Sequence, residues 1–264
     1  MGKFAVFVIG PAGTGKTTFC ATMQEHLSSL KKESILMNLD PAAITAAANI
    51  DIRHHWPLEE IMNEYSMGPN GGLIKCVEMM VSEANWLESS ISGYGDEFMF
   101  VDCPGQIELY MHSDVMQKII GTFAQNDYSI CVVFLLDSQF LQDSSKFLAG
   151  ILNSLSAMLQ LELPHVNIIT KMDLLGDISD EDYDNLQKFF YPDTNLLKSS
   201  ERENMKELDI AISALIENFN LVEFCPLNIT DRNSIEDVLV YINNVLQNDD
   251  LDVSGPDYID FDKT

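Results

Sequence analysis

A glycine-rich stretch near the start of the chain has the residue types and spacing of a phosphate-binding loop. It reads GPAGTGKTT and fits the pattern G-x-x-x-x-G-K-[ST]. Because it follows an apolar run and opens a helical pattern, its backbone N–H groups would cradle phosphates. Lys16 would reach the β- and γ-phosphates, and the Thr17 hydroxyl would bind Mg²⁺. The residues expected to contact the nucleotide here are Gly10, Pro11, Ala12, Gly13, Thr14, Gly15, Lys16, Thr17 and Thr18.

A second chemical stretch, FMFVDCPGQIE, ends another apolar run. Its strand-terminal Asp102 is expected to hold Mg²⁺, directly or through water. Gly105 could offer its N–H to the γ-phosphate and move when that phosphate leaves. Gln106 and Glu108 follow, where they could orient water. An ordinary Asp-x-Pro-Gly turn is the alternative, and the phosphate-binding loop makes the catalytic interpretation the better one.

A third carboxylate, Asp40, ends the strand pattern in LMNLDPAA. It could bind Mg²⁺ through water or act on the attacking water. A turn or helix N-cap aspartate before Pro41 is the structural alternative.

Recognition of a base is the chemistry suggested by ITKMD. Asp173 could accept from guanine N1–H and the exocyclic amine, a donor edge that adenine lacks, while the Lys171 stem lies along the base. Thr170 stands where this element usually has Asn, so one anchoring amide is missing. After the last predicted strand, the backbone of Pro226 and Leu227 could contact the base edge, although a plain strand end fits equally well.

The cluster MGPNGGL is rich in turn-forming residues and lies between two stretches with a helical pattern. Pro69 presets φ, and Asn70 and the neighbouring glycines tolerate the left-handed region, so the cluster predicts a tight turn between two helical stretches. Whether it also reaches a nucleotide site is not decided by these residues alone.

Strands and helices alternate along the chain, which predicts an α/β fold with a doubly wound, mainly parallel sheet. Such sheets bind ligands at the carboxyl ends of their strands, where the residues above lie. The predicted strands are 4–9, 34–40, 97–102, 129–137, 165–170 and 222–227. The predicted helices are 16–30, 57–65, 72–91, 139–161, 204–219 and 234–247.

Composition excludes some partners. Among 264 residues, 46% are hydrophobic, and the formal net charge is −26. That charge argues against direct binding to nucleic acid or to an anionic membrane, which need clustered Lys and Arg. No CxxC pair occurs among the five cysteines, so reduced buried thiols in a cytosolic protein are expected. The apolar runs are too short for a signal peptide or a membrane span, and we expect a cytoplasmic protein with access to the nucleus.

The chain resembles the GPN-loop GTPases, named for a Gly-Pro-Asn insert, and within them most the third eukaryotic paralogue. The matching pieces are GPAGTGKTT, NLDPAA, GPNGG, DCPGQIE and TKMD, in the order of the family. The resemblance implies a P-loop NTPase of the dimeric, signal-recognition- and MinD-like class with a helical Gly-Pro-Asn loop insert. The expected organisation is a GTPase domain over 1–247, containing the loop insert 41–95 and a variable acidic insert 176–203, followed by an acidic tail over 248–264.

The same resemblance implies Mg²⁺-dependent hydrolysis of GTP to GDP in a dimer, with a copy or a paralogue, joined at the nucleotide faces. It also implies a role in RNA polymerase II assembly and nuclear import, with polymerase subunits or assembly chaperones as partners. The family usually has threonine at the position of Thr170 in its base-recognition element. The resemblance therefore still implies a preference for guanine. Gly68, Pro69 and Asn70 would approach the nucleotide of the partner subunit. Because this loop lies on a separate helical excursion, it need not fold back onto its own phosphate.

Three rival functions remain to be weighed. A small-molecule kinase would use several arginines, and the chain has only Arg53, Arg202 and Arg232. A related class of dimeric ATPases carries a second loop lysine, at the position that Pro11 occupies here. A scaffold whose dimer is locked by GTP without turnover is not excluded by the sequence.

Overall fold

The computed structural model describes residues 2–44, 48–95, 97–111, 114–175 and 222–248, and within them seven parallel strands form one sheet. The strand order is β3-β2-β4-β1-β5-β6-β7, so the first strand lies at the centre. The strands are β1 (Lys3–Ile9), β2 (Ser34–Asn38), β3 (Ile50–Asp51), β4 (Phe98–Asp102), β5 (Tyr128–Asp137), β6 (His165–Thr170) and β7 (Phe224–Pro226).

Helices cover both faces of this sheet. They are α1 (Lys16–Ser29), α2 (Leu58–Tyr65), α3 (Pro69–Ser82), α4 (Ala84–Ile91), α5 (Glu108–Met111), α6 (Val115–Gln125), α7 (Ser144–Leu161) and α8 (Arg232–Asn248). Short 3₁₀ turns occupy Ile52–His54, Ser138–Gln142 and Met172–Leu175. None of the helices in the described ranges is long and apolar enough to cross a membrane.

The continuous apolar run of β1 follows from its central place, because both of its faces are covered. Val6 and Val8 pack on the side of α1 and α8. Phe7 and Ile9 point to the opposite side, into the larger cluster that includes residues of α2, α3, α4, α6 and α7. Two apolar layers therefore hold the sheet rigidly between them.

Strand register brings the chemical residues to one edge. Asp102 pairs with Val8 of β1 and with Asn38 of β2, and Asp137 pairs with Thr170. Since all of these strands are parallel, their carboxyl ends open onto the same edge of the sheet. The predicted doubly wound fold is confirmed.

Several predicted elements need correction. The helix predicted over 72–91 begins earlier, at Pro69, and is interrupted at Glu83. The strand predicted over 34–40 ends at Asn38, and the two-residue strand β3 has no counterpart in the prediction. No helix is predicted over 115–125, although α6 occupies that stretch.

The signal for α6 is present in the sequence. Val115, Met116, Ile119, Ile120 and Phe123 recur at the spacing of one helical face, and all are buried. The predicted helix 204–219, the acidic insert 176–203 and residues 249–264 of the tail lie outside the described residues. The predicted division into domain and tail therefore stays a prediction.

Candidate nucleotide-binding site

The phosphate-binding loop joins the central strand β1 to α1. Gly10 has φ +138°, and a Cβ built on it would lie 2.4 Å from the backbone oxygen of Leu135. Only glycine fits this close approach to β5. The loop is therefore held against the middle of the sheet, with α1 beginning at Lys16.

Lys16 folds over its own loop. Its buried Nζ donates to the backbone oxygens of Gly10 at 3.0 Å and Pro11 at 3.1 Å. Burial lowers the pKa of Lys16, while the nearby carboxylates of Asp102 and Asp40 raise it. The ammonium is thus held within the phosphate-binding loop, and its predicted contact with phosphate oxygens stays a prediction. The neighbouring Thr18 is exposed on α1.

Two of the three predicted metal-binding side chains, Thr17 and Asp102, are in direct contact. Thr17 Oγ1 donates to Asp102 Oδ2 at 2.6 Å, and Asp102 is buried. Asp102 Oδ1 is also buried and has no hydrogen-bond partner. Burial raises the pKa of Asp102 to about 6, although the Thr17 hydroxyl and the Lys16 charge lower it. An unpartnered carboxylate oxygen beside a hydroxyl and a phosphate-binding loop fits Mg²⁺, which takes oxygen ligands.

No cluster of three or more His, Cys, Asp or Glu able to hold a metal occurs in the part of the chain that the structure describes. Mg²⁺ is usually bound by one or two side chains together with phosphates and water. The predicted third ligand, Asp40, lies just beyond β2, the neighbour of β4, and its burial raises its pKa. Its Oδ1 accepts from Ala42 N at 2.8 Å, so the turn role given as its alternative is present.

Gly105 and Gln106 lie against the phosphate-binding loop. A Cβ on Gly105 would come within 2.9 Å of Ala12 Cα, so this segment and the loop are packed backbone to backbone. Gln106 Oε1 is buried without a partner, and Gln106 Nε2 donates to Asn70 Oδ1 at 3.2 Å. Glu108 begins α5 and is exposed.

The Gly-Pro-Asn cluster is a helix start and not a turn between helices. Gly68 is the N-cap of α3, Pro69 is its first residue, and Gly72 N donates to Gly68 O at 2.9 Å. Proline suits this position, because its missing N–H would be unpaired there in any case. The sequence left open whether the loop approaches the site of its own subunit, and Asn70 contacts Gln106 of the same chain. The loop reaches the edge of that site within one chain.

The base element is anchored to the phosphate-binding loop. Thr170 Oγ1 lies 2.7 Å from Thr14 O, and Lys171 Nζ donates to Gly13 O at 2.6 Å. The anchoring amide is missing at Thr170, as the sequence indicates, and the threonine hydroxyl makes a link to the loop in its place. Asp173 Oδ1 is buried and has no hydrogen-bond partner.

The last strand completes this corner of the site. Leu227 N donates to Ile169 O at 2.8 Å, and Met172 N lies 3.3 Å from Leu227 O. Pro226 is the final residue of β7, and Leu227 is fully buried beside the base element. The predicted residues of β6 and β7 are thus brought together.

Two polar residues of this corner were missed from the sequence. Asp137 Oδ2 accepts from Lys171 Nζ at 2.5 Å, and Ser138 Oγ donates to Lys171 O at 2.9 Å. Both follow the last apolar residue of β5, the same strand-end position that singled out Asp102. Their position directly after an apolar strand was the signal in the sequence that could have identified them.

Comparison with known proteins agrees with this geometry. Residues 8–248 match the family described as "Conserved hypothetical ATP binding protein". The chain is 40% identical over 265 residues to GPN-loop GTPase 3 of Dictyostelium discoideum, covering 97% of this chain and 92% of that protein. It is 39% identical over 257 residues to GPN-loop GTPase 3 of Saccharomyces cerevisiae, covering 94% and 93%. With GPN-loop GTPase 3 of Danio rerio it shares 39% over 270 residues, covering 98% and 94%.

A solved structure shares the fold. The apo form of PAB0955, a GTPase from Pyrococcus abyssi, superposes with a TM-score of 0.75 at 22% identity, covering 92% of this chain and 97% of that one. The resemblance that the motifs suggested, including that to the third paralogue, is confirmed. With a nucleotide-binding fold and full-length relatives of one name, the chain belongs to the GPN-loop GTPase family.

Proposed function

We propose that the protein binds GTP with Mg²⁺ and hydrolyses it to GDP and phosphate. One observation carries the proposal: Thr17 and Asp102 meet at 2.6 Å beside the buried Lys16, with a second Asp102 oxygen unpartnered. Such a pair beside a phosphate-binding loop is the arrangement that holds Mg²⁺ against the β- and γ-phosphates in P-loop NTPases. Mg²⁺, when bound there, would neutralise charge on the phosphate oxygens.

The residues of the chain would share the remaining tasks. Lys16 would contact the β- and γ-phosphates, and backbone N–H groups of the loop would cradle them. Asp173 would select guanine through its unpartnered Oδ1. We assign Gln106, Glu108 and Asp40 to orienting the attacking water.

Asn70 is assigned to the nucleotide of a partner subunit. Its side chain is exposed on the first turn of α3, where the helix dipole adds positive potential. Its contact with Gln106 places the amide at the edge of the site, so a copy or paralogue packed on this edge would bring a second amide near the γ-phosphate. Hydrolysis would then depend on the geometry of the dimer.

The cellular role is proposed from the family resemblance. We expect a switch in RNA polymerase II assembly and nuclear import, acting on polymerase subunits or assembly chaperones in the cytoplasm with access to the nucleus. The net charge of −26 suits basic protein surfaces and disfavours direct contact with nucleic acid or anionic membranes.

Single-turnover hydrolysis, with protein in excess over labelled GTP, tests the enzymatic proposal. We expect Mg²⁺-dependent release of phosphate, and a fall of about 10²-fold or more in Gln106→Ala if its amide acts as a positioned donor. Glu25→Gln, an exposed change on α1, is the matched control and should leave the rate unchanged. GTP that binds tightly but is not hydrolysed would instead indicate a scaffold, and displacement of GTP by ATP at equal concentration would refute guanine selectivity.

A further inference from the structure

Asp51, at the end of the edge strand β3, is the centre of a buried polar network. Its Oδ1 accepts from Arg53 N and Arg53 Nε, each at 2.9 Å, and from Asn38 Nδ2 at 3.0 Å. Its Oδ2 pairs with the Arg53 guanidinium at 2.5 Å. Burial alone would raise the pKa of Asp51, but the hydrogen bonds from Arg53 and Asn38 lower it below its usual value. The carboxylate is therefore charged and fully engaged.

This network reaches the backbone of Asp40 from one side through Asn38. Asn38 Oδ1 accepts from Asp40 N at 3.0 Å, and Asn38 Nδ2 lies 3.2 Å from Asp40 O. Asn38 is buried at the end of β2, and the same Nδ2 group also donates to Asp51 Oδ1. Both peptide groups of Asp40 are thus tied to the Asp51 carboxylate through one side chain.

Arg53 holds the segment from the other side. Its Nη1 donates to Ala43 O at 2.6 Å, while other nitrogens of the same guanidinium, among them Nε, donate to the Asp51 carboxylate. Asp40 is therefore bracketed, with Asn38 before it and the Arg53 contact three residues after it. A planar guanidinium can make both contacts at once, which a lysine ammonium cannot do with the same geometry.

From these contacts we infer that Arg53 is a positioning residue for Asp40, acting through Asp51, Asn38 and the carbonyl of Ala43. The inference rests on the proposed role of Asp40 in orienting water or metal. The task of Arg53 is to fix the short segment after β2, since displacement of a reacting group by about 1 Å costs on the order of 10²-fold in rate.

The test compares single-turnover GTP hydrolysis and GTP affinity in variants of the full chain. Arg53→Gln should slow hydrolysis about 10- to 100-fold while GTP affinity stays close to wild type. Arg53→Lys, which keeps the charge but not the fork, should recover part of the rate. Arg232→Gln removes an exposed arginine at the start of α8 and should change neither quantity.

The decisive measurement is whether the effects of the Arg53 and Asp40 substitutions on the hydrolysis rate are independent. When Arg53→Gln is added to Asp40→Asn, the rate should fall no further, because both changes remove the same function. If the two effects multiply, or if Arg53→Gln lowers affinity and rate together, the inference is overturned. Should Asp40→Asn hydrolyse GTP at the wild-type rate, the proposed role of Asp40 fails as well. A slow Asp40→Asn beside a fully active Arg53→Gln overturns the inference alone.

Folding is controlled by a second variant. Arg53→Gln leaves the buried Asp51 charge without its partner, which destabilises proteins strongly. Asp51→Asn/Arg53→Gln removes both charges, and the amide introduced by Asp51→Asn retains an oxygen that can accept from Asn38. We expect this double variant to fold and still to hydrolyse GTP slowly, because the link to Ala43 O is lost. A wild-type rate in a folded double variant overturns the inference.

Discussion

Thr170→Val removes a single hydroxyl from the link between the base element and the phosphate-binding loop. Thr170 is buried, and its Oγ1 lies 2.7 Å from Thr14 O and 3.2 Å from Leu136 O. Valine has nearly the same shape, so no cavity forms, but a buried carbonyl loses its donor. Such a loss costs about 1–3 kcal/mol in the free energy of unfolding. GTP affinity should fall too, because the link from Lys171 Nζ to Gly13 O is then the remaining one of the two described between the base element and the loop.

Denaturant unfolding and GTP titration measure both effects. Thr122→Val is the matched control, because Thr122 Oγ1 donates to Lys118 O at 3.1 Å in a solvent-exposed hydrogen bond on α6. The control should change stability by no more than about 0.5 kcal/mol. Thr170→Ser keeps the hydroxyl and should keep GTP affinity. If Thr170→Val is as stable as the control and binds GTP like wild type, the proposed link has no energetic weight.

Three other side chains or pairs give predictions of their own. Asp173→Asn should weaken GTP binding by about 1–3 kcal/mol, because a donor then faces the donors of guanine. Xanthosine triphosphate should compete with GTP better in this variant than in wild type, and an unchanged GTP affinity would contradict the base assignment. Thr17→Ala and Asp102→Ala should each abolish Mg²⁺-dependent tightening of GTP binding, and a wild-type affinity insensitive to EDTA would refute the metal assignment. Burial lowers the pKa of His165 from 6.5 to about 4, so the free energy of unfolding should decrease as the pH falls from about 6.5 to 4. His165→Asn should weaken this pH dependence in denaturation curves, and an equally steep dependence in the variant would rule His165 out as its source.

The sequence predicts the site best where chemistry follows a buried strand. Lys16 follows β1, Asp102 ends β4 and Asp173 follows β6, each in a pattern that predicts its role. Their convergence could be predicted as well, since parallel strands open at one edge. The structure adds the contact between Thr17 and Asp102, made across 85 residues.

Contacts between distant segments could not be predicted. The anchor between Thr170 and Thr14 joins residues 156 positions apart, and nothing in the local sequence marks it. The same holds for the contact between Asn70 and Gln106, 36 positions apart. Arg53 looked relevant only as one of three arginines, and its pairing with Asp51 depends on the short edge strand that local patterns do not reveal.

Local competition explains the misplaced start of α3. Glycine, proline and asparagine favour turns, but proline is also the preferred first residue of a helix. The apolar residues that follow, Leu73, Cys76, Val77 and Met80, are buried and draw the cluster into the first helical turn. Packing therefore decides between two conformations that the cluster itself allows.

Mixed dimers of Asn70→Ala and Lys16→Ala subunits test most directly whether Asn70 acts on the nucleotide of its partner. Asn70→Ala alone should hydrolyse GTP about 10²-fold more slowly than wild type. In a mixed dimer the only intact phosphate-binding loop belongs to the Asn70→Ala subunit, and it faces the intact Asn70 of the other subunit. We expect hydrolysis by the mixture to rise well above that of either variant alone. A mixture as slow as the separate variants, in dimers shown to have exchanged subunits, would place the action of Asn70 within its own chain, where it contacts Gln106.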